Sequence, residues 1–197
     1  MNRGSLVVTG LLLALIGLCG CGTESQPSAN PTPSVPSGGN GLPPRPATLR
    51  IQGIDPCSLL TSDQSFKLGV ERGRRNDFRP DSPLEGTDCD WSTLGSRRRI
   101  GYSAGLLLNR GAEFALGSEP LRAVGGYAAT STSSALFDPQ WHCYLLVDVG
   151  PGQSLLSDYS VETKDLPGMT HQRACDNAQT AAEYMLANLR AAQPGGR

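Results

Sequence analysis

The chain has 197 residues, 38% of them hydrophobic, with a formal net charge of −1. That near-neutral balance argues against nucleic acid as a partner, because a phosphate backbone is gripped by a surplus of Lys and Arg. Arginine outnumbers lysine fifteen to two, and Gly and Pro reach 24 and 15 residues, a bias that GC-rich coding would produce.

Met1 to Ser5 carries Arg3, and Leu6 to Leu18 is apolar apart from Thr9, Gly10 and Gly17. This is the pattern of a secretory signal peptide. It is shorter than the roughly 20 apolar residues that a membrane-spanning helix needs. Leu18-Cys19-Gly20-Cys21 then reads as a lipobox, the signal for attaching lipid to a cysteine and cutting just before it. Cutting before Cys19 would put bulky Leu18 beside the cut. Cutting before Cys21 puts Gly20 there and Leu18 three residues upstream. Cysteine arithmetic agrees: discarding Cys19 and lipidating Cys21 leaves Cys57, Cys89, Cys143 and Cys175, which can pair completely in an oxidising compartment. The expectation is a signal peptide over residues 1–20 and a mature chain held on the extracytoplasmic face of the cell membrane by lipid on Cys21. Two acyl chains already suffice for stable anchoring, at about 0.8 kcal/mol per buried methylene.

Residues 21–50 are rich in Pro, Ser, Gly and Asn, with prolines at 27, 31, 33, 36, 43, 44 and 46. Such a segment buries too little apolar surface to offset its ordering entropy, so it reads as a disordered tether. As a flexible chain it spans about 30 Å. The alternative is a Pro-rich motif for a partner's aromatic groove.

Residues 51–197 read as a single globular domain. Asp55-Pro56-Cys57 has the form of a helix start, with Asp55 as cap and Pro56 at the first helical position. Thr61-Ser62-Asp63-Gln64 has capping-box spacing and opens a short helix through Phe66 and Leu68, stopped at Gly69. Glu71 to Glu85 is polar, with Arg72, Arg74, Arg75 and Arg79, and reads as a loop. Cys89 and Trp91 alternate into a strand, Arg97-Arg98-Arg99 marks a turn, and Ile100, Tyr102 and Ala104 form the next strand. Leu121 to Ala129 reads as a strand entered through Gly125-Gly126. Trp141 to Val149 and Leu155 to Val161 form a hairpin about Gly150-Pro151-Gly152. Ala174, Ala178, Ala181, Ala182, Met185, Leu186 and Leu189 recur at three- and four-residue spacings, the stripe of a long helix capped near Thr170. This order predicts an α+β fold: an antiparallel sheet of about five strands, with a short N-terminal helix and a long C-terminal helix packed on it.

Four cysteines allow three connectivities. Chain order favours Cys57 with Cys89 and Cys143 with Cys175, each pair 32 residues apart. Each closure would stabilise the fold by roughly 3–4 kcal/mol on loop-entropy grounds. The alternative, a four-cysteine zinc site, usually groups its ligands in close pairs, which these spacings lack. No metal or cofactor is expected.

The lipobox and tether, Asp55-Pro56-Cys57-x-Leu59-Leu60, Cys89-x-Trp91, Gly125-Gly126-Tyr127-Ala128, and Ala174-Cys175-Asp176 opening an Ala-rich terminal helix occur in that order. In this the chain resembles the LprB/LprC-type lipoproteins of actinobacteria, a DUF3558-type domain family without assigned biochemical function. The resemblance implies residence in a mycobacterial-type envelope and supplies no catalytic residues.

Catalytic motifs are missing from the sequence: there is no G-x-S-x-G elbow and no H-E-x-x-H. His142 and His171 read as surface or strand-edge polar residues. Arg97, Arg98 and Arg99 are the candidate anion-binding group, although seven arginines in that region face six carboxylates, which favours mutually paired loops. Trp91, Trp141, Tyr102 and Tyr127 read as core, with Trp141 the one expected at an exposed patch. The functional expectation is a non-catalytic binding module holding a lipid or small envelope ligand between terminal helix and sheet. The alternative is an accessory protein docking on a membrane transporter or sensor, and the third an envelope enzyme.

Overall fold

Hairpin connections dominate the chain. In the computed structural model, which describes residues 41–77, 85–93, 99–132, 138–162 and 166–194, seven strands form one antiparallel sheet. They are β1 (Arg74–Asp77), β2 (Gly86–Ser92), β3 (Ile100–Leu107), β4 (Arg122–Val124), β5 (Tyr127–Thr132), β6 (His142–Gly150) and β7 (Gln153–Val161). Their spatial order, β1-β2-β3-β7-β6-β5-β4, joins two meanders along β3 and β7. Two helices, α1 (Ser62–Lys67) and α2 (His171–Ala191), complete the α+β fold. The signal segment, Cys21 and the tether up to residue 40 lie outside the described residues.

The expected count of about five strands becomes seven. β1 lies in the stretch read as a polar loop and pairs Arg74 with Asp90 through Asp77 with Thr87. It is an edge strand held by backbone bonds, and charged side chains there discourage further pairing by other chains. β4 and β5 are the two arms of the glycine turn. Gly125 and Gly126 have φ of 52° and 89°, the two left-handed positions of a tight hairpin turn. The Asp55 cap opens a single 3-10 turn, Pro56–Leu59, in place of a longer helix.

Alternation along the strands makes two unlike faces. One carries the cross-strand row Trp91, Tyr102, Tyr159 and Cys143, with the two tyrosine rings edge-on at 5.1 Å. On this face lies α2, capped by Thr170, whose Oγ1 accepts the Arg173 N–H. Its stripe of Ala174, Cys175, Ala178, Ala181, Ala182, Met185, Leu186 and Leu189 is buried. The alanines let the helix backbone approach so closely that Ser157 Oγ of β7 donates to the Ala178 carbonyl at 2.8 Å. Each fully buried Leu or Met here contributes about 1.5–3 kcal/mol.

The opposite face carries a smaller apolar cluster of Leu42, Leu107, Ala112, Ala115, Ala128 and Leu146. The β3–β4 connection is pinned over it, since Thr130 Oγ1 donates to the Ala112 carbonyl at 2.6 Å and Ser154 Oγ to that of Arg110 at 2.7 Å. Residues 41–50, expected as tether, pack against the sheet instead. Leu42 and Leu49 are buried, the Leu49 N–H reaches the Val149 carbonyl at 2.8 Å, and Arg45 grips Asp148 bidentately at 2.8 and 3.0 Å. Two leucines and one arginine are enough because Pro43, Pro44 and Pro46 restrict the chain they must hold. The domain therefore begins before residue 51.

Burial pushes the Asp148 carboxyl above its usual range, against the opposing pull of Arg45. Asp148 is thus held less tightly when ionised, and its contribution is fully present only below the unfolded carboxylate range. Arg45→Ala should lower stability by about 1–3 kcal/mol at neutral pH by leaving a buried carboxylate short of partners. The loss should shrink as acid protonates Asp148, and Arg45→Ala/Asp148→Asn should recover most of it, measured by urea unfolding at both pH values.

Candidate functional site

Asp55 starts the construction of the site. Its Oδ1 accepts the Cys57 N–H at 3.1 Å and sets the 3-10 turn that buries Leu59. Cys57 is then bonded to Cys89 of β2. The Thr61 capping box forms as the spacing predicts, with Gln64 N–H to Thr61 Oγ1 at 3.3 Å and Thr61 N–H to Gln64 Oε1 at 2.8 Å. Asn188 of α2 donates to Gln64 Oε1 at 2.7 Å and to the Leu59 carbonyl at 2.8 Å. Gly69, at φ 73°, ends α1 and turns the chain back. Val70 N–H then reaches the Ser65 carbonyl, and Glu71 N–H that of Ser92. Gly73 lies flat on the disulfide and indole: a Cβ there would sit 2.6 Å from both Cys89 Sγ and Trp91 Nε1.

These turns enclose an open cleft of about 790 Å³. Its floor is Leu60, Val70 and Trp91, all buried. Phe66 stands on one wall with 84% of its surface exposed. Asp55, Glu71, Arg72 and Arg75 line its charged margin, two of each sign, with Arg75 Nη1 3.9 Å from Asp55 Oδ1. Apolar floor, exposed phenyl and charged margin together suit an amphiphile whose tail is covered and whose head stays wet.

The expected position between α2 and the sheet is different: it is filled by the buried stripe of α2 and the aromatic row beneath it. Of the candidate anion-binding triplet, Arg97 and Arg98 lie outside the described residues, as does Arg79. Arg99 is exposed and paired with Glu162 at 3.2 Å, away from the cleft lining. Trp141 is half-buried against the main core. Among the described residues, the strongly exposed aromatics are Phe66 and Phe114, the latter under the Arg110 guanidinium at 3.9 Å. Sequence reasoning placed Phe66 in α1 without assigning it to a site. The signal was there: Phe66 and Leu68 are two residues apart, about 200° around a helix, so a short helix cannot bury both.

Both histidines are expected as surface or strand-edge polar residues; His142 is buried at the start of β6, and His171 is partly exposed. His142 is 1% exposed, with Nε2 2.9 Å from Asp158 Oδ1 and its ring edge-on to Tyr144 at 4.1 Å. His171 is oriented by the Pro139 carbonyl, 2.8 Å from Nδ1, and by Glu119 Oε1, 2.5 Å from Nε2. Burial lowers the His171 pKa, but hydrogen bonding to Glu119 and Pro139 outweighs it and raises the net value. For Glu119 the burial effect is likewise overcome, by Ser131 and His171, and its pKa falls. Two serines bond acids: Ser131 Oγ donates to Glu119 at 2.5 Å and Ser103 Oγ to Asp90 at 2.6 Å. In both cases a carboxylate, and not an imidazole, accepts the hydroxyl hydrogen bond.

The family described as a protein of unknown function, DUF3558, matches residues 16–188. The chain belongs to that family. No curated protein and no solved structure matches it. The DUF3558 domain therefore supplies a fold-level grouping, and its chemistry has to be argued from the cleft. Among the described residues, no helix is long and apolar enough to cross a membrane.

Burial pushes the Asp158 carboxyl up, Asp90 adds to the rise, and His142 opposes it. The folded state then holds this proton more tightly than the unfolded chain. Its contribution to stability is complete below the unfolded carboxylate range, about 3.9, and is lost as pH rises through the folded value. Asp158→Asn should remove that component, so stability should fall less between pH 4 and 7 in the variant than in the wild type, measured by denaturant midpoints.

Proposed function

We propose that this DUF3558 protein is a membrane-anchored envelope lipoprotein whose domain is a non-catalytic binding module for a lipid or similar small amphiphile. The observation that carries the reading is the cleft, large enough for a ligand, with Phe66 exposed above a floor of Val70 and Trp91. A phenyl ring left in water has a hydrophobic gain still to realise on covering. The two arginines and two acids at the margin suit a headgroup carrying both charges.

The lipobox supports the anchor at Cys21, and the motif order supports an LprB/LprC-like identity. A second reading, an accessory docking on a membrane transporter or sensor, draws on Phe114, Leu116 and Leu121, which are exposed along the β3–β4 connection. An envelope enzyme is the third reading, with His142 and His171 as its candidate groups.

Titration of Trp141→Phe protein with lysophosphatidylcholine below its micelle concentration reads the cleft through Trp91 fluorescence. Saturable binding is expected, weakened about tenfold by adding Phe66→Ala, a cost of about 1.4 kcal/mol. An unchanged spectrum, or equal affinity in both proteins, would reject the cleft as the site. Separately, Cys21→Ala should move a folded protein from the membrane fraction to the soluble fraction. Retention in the membrane through an uncleaved Leu6–Leu18 segment would overturn the anchor.

A further inference from the structure

Next to one of the two disulfides stand groups that the binding reading does not use. Cys143, the second residue of β6, is bonded to Cys175 of α2. His171 lies one helical turn before Cys175, the four-residue spacing that puts two side chains on one face. Its Nε2 is 3.5 Å from Cys175 Sγ, and the donor atoms of Cys143, His171 and Cys175 all lie within 4.8 Å of one another. Glu119, from the β3–β4 connection, brings Oε1 to 2.5 Å from the same Nε2. Thus two sulfurs and one imidazole nitrogen converge from two parts of the chain, and a carboxylate oxygen reaches that same nitrogen from a third.

The imidazole is also oriented as a ligand. Nδ1 faces the carbonyls of Pro139 and His142 at 2.8 and 3.2 Å, so it carries a proton and donates it. Nε2 is left to face Glu119 and the sulfurs. Metal-binding histidines are commonly fixed in this way, one nitrogen donating to a carbonyl while the other coordinates. Both cysteines are fully buried, whereas the His171 and Glu119 side chains are 29% and 24% exposed, so an ion could enter from their side. The Cys57–Cys89 pair is not part of such a group: among the described residues, Cys143, His171 and Cys175 form the one cluster of at least three His, Cys or acidic donors with this proximity.

We propose that Cys143, Cys175, His171 and Glu119 are a latent zinc site, closed by the disulfide and opened by reduction. A dithiol reductant supplies two electrons and two protons: the Cys143–Cys175 bond breaks, the dithiol closes to its own disulfide, and two thiols form. Zinc then displaces one proton from each thiol and the one on His171 Nε2, and takes two thiolates, one nitrogen and one carboxylate oxygen. Four ligands of that softness match the tetrahedral preference of zinc. The ion would hold β6 to α2 as the disulfide does, so the helix stays docked in either redox state.

The test uses cobalt(II) as a spectroscopic probe on the whole mature protein, reduced with a dithiol and desalted without air. One equivalent should give thiolate-to-cobalt charge-transfer absorption and the visible bands of a tetrahedral ion, displaced by zinc. Oxidised protein should give neither, and His171→Ala should weaken binding at least tenfold. In parallel, zinc-loaded reduced protein is alkylated and each cysteine read by mass spectrometry. Protection should fall on Cys143 and Cys175 while Cys57 and Cys89 react. Missing charge-transfer absorption, unchanged affinity in His171→Ala, or protection of Cys57 and Cys89 in place of Cys143 and Cys175 would each overturn the proposal.

Discussion

The close seating of α2 on the sheet is the interaction from which the rest of the domain hangs. It is possible because the buried stripe begins with small residues, Ala174, Ala178, Ala181 and Ala182, so helix and strand backbones meet with Ser157 bridging them. A larger side chain at Ala178 would lift the helix and break that bridge, at a typical overpacking cost of about 1–3 kcal/mol. The first turns of α2 are fixed by Cys175 and His171. Its last turns hold the N-terminal half of the domain: Asn188 binds the Leu59 carbonyl and the α1 capping box, and Leu189 closes the core. One helix thus connects the His171 cluster at its start to the cleft wall near its end.

The two disulfides divide the work between those ends. Cys57–Cys89 ties the 3-10 turn to β2 under the cleft, where Gly73 leaves no space for a Cβ. Cys143–Cys175 ties β6 to the helix start. The sheet face opposite α2 is built differently. There Asp148 and Asp158 are buried carboxylates, each offset by one basic partner, Arg45 and His142. Removing one partner from such a pair costs more than the pair contributes, because the remaining charge is stranded in a poor solvent.

How legible was this in the amino acids? The terminal helix was open to reading because seven apolar residues keep helical spacing without interruption. The β6–β7 hairpin was equally plain, since both arms alternate about Gly150-Pro151-Gly152. Strand β1 was hidden, because an edge strand needs backbone partners only, and Arg74-Arg75-Asn76-Asp77 shows no apolar period. The packed segment at residues 41–50 was hidden for a related reason: its composition is that of a tether, and the contacts of Leu42 and Arg45 lie about a hundred residues away, Arg45 and Asp148 being separated by 103. His171 and Glu119 are 52 residues apart, so only half of that cluster, the four-residue step from His171 to Cys175, was visible locally. Beyond the Phe66–Leu68 spacing, the cleft has no linear signature. It arises where a 3-10 turn, a six-residue helix and an edge strand leave one phenylalanine without a neighbour.

The seating of Leu42 and Arg45 on the sheet face opposite α2 has a mechanical consequence. A pull applied from the N-terminal side of residue 41 is felt first at the earliest contacts this segment makes with the fold. Here those are the Leu42 contacts, with the Arg45–Asp148 pair next along the chain. Tension would be taken up across β6, a central strand paired on both sides, while α1, Phe66 and the cleft stand on the other side of the sheet from the strap. Load entering through residues 41–50 is therefore met on the sheet face opposite the ligand-sized opening.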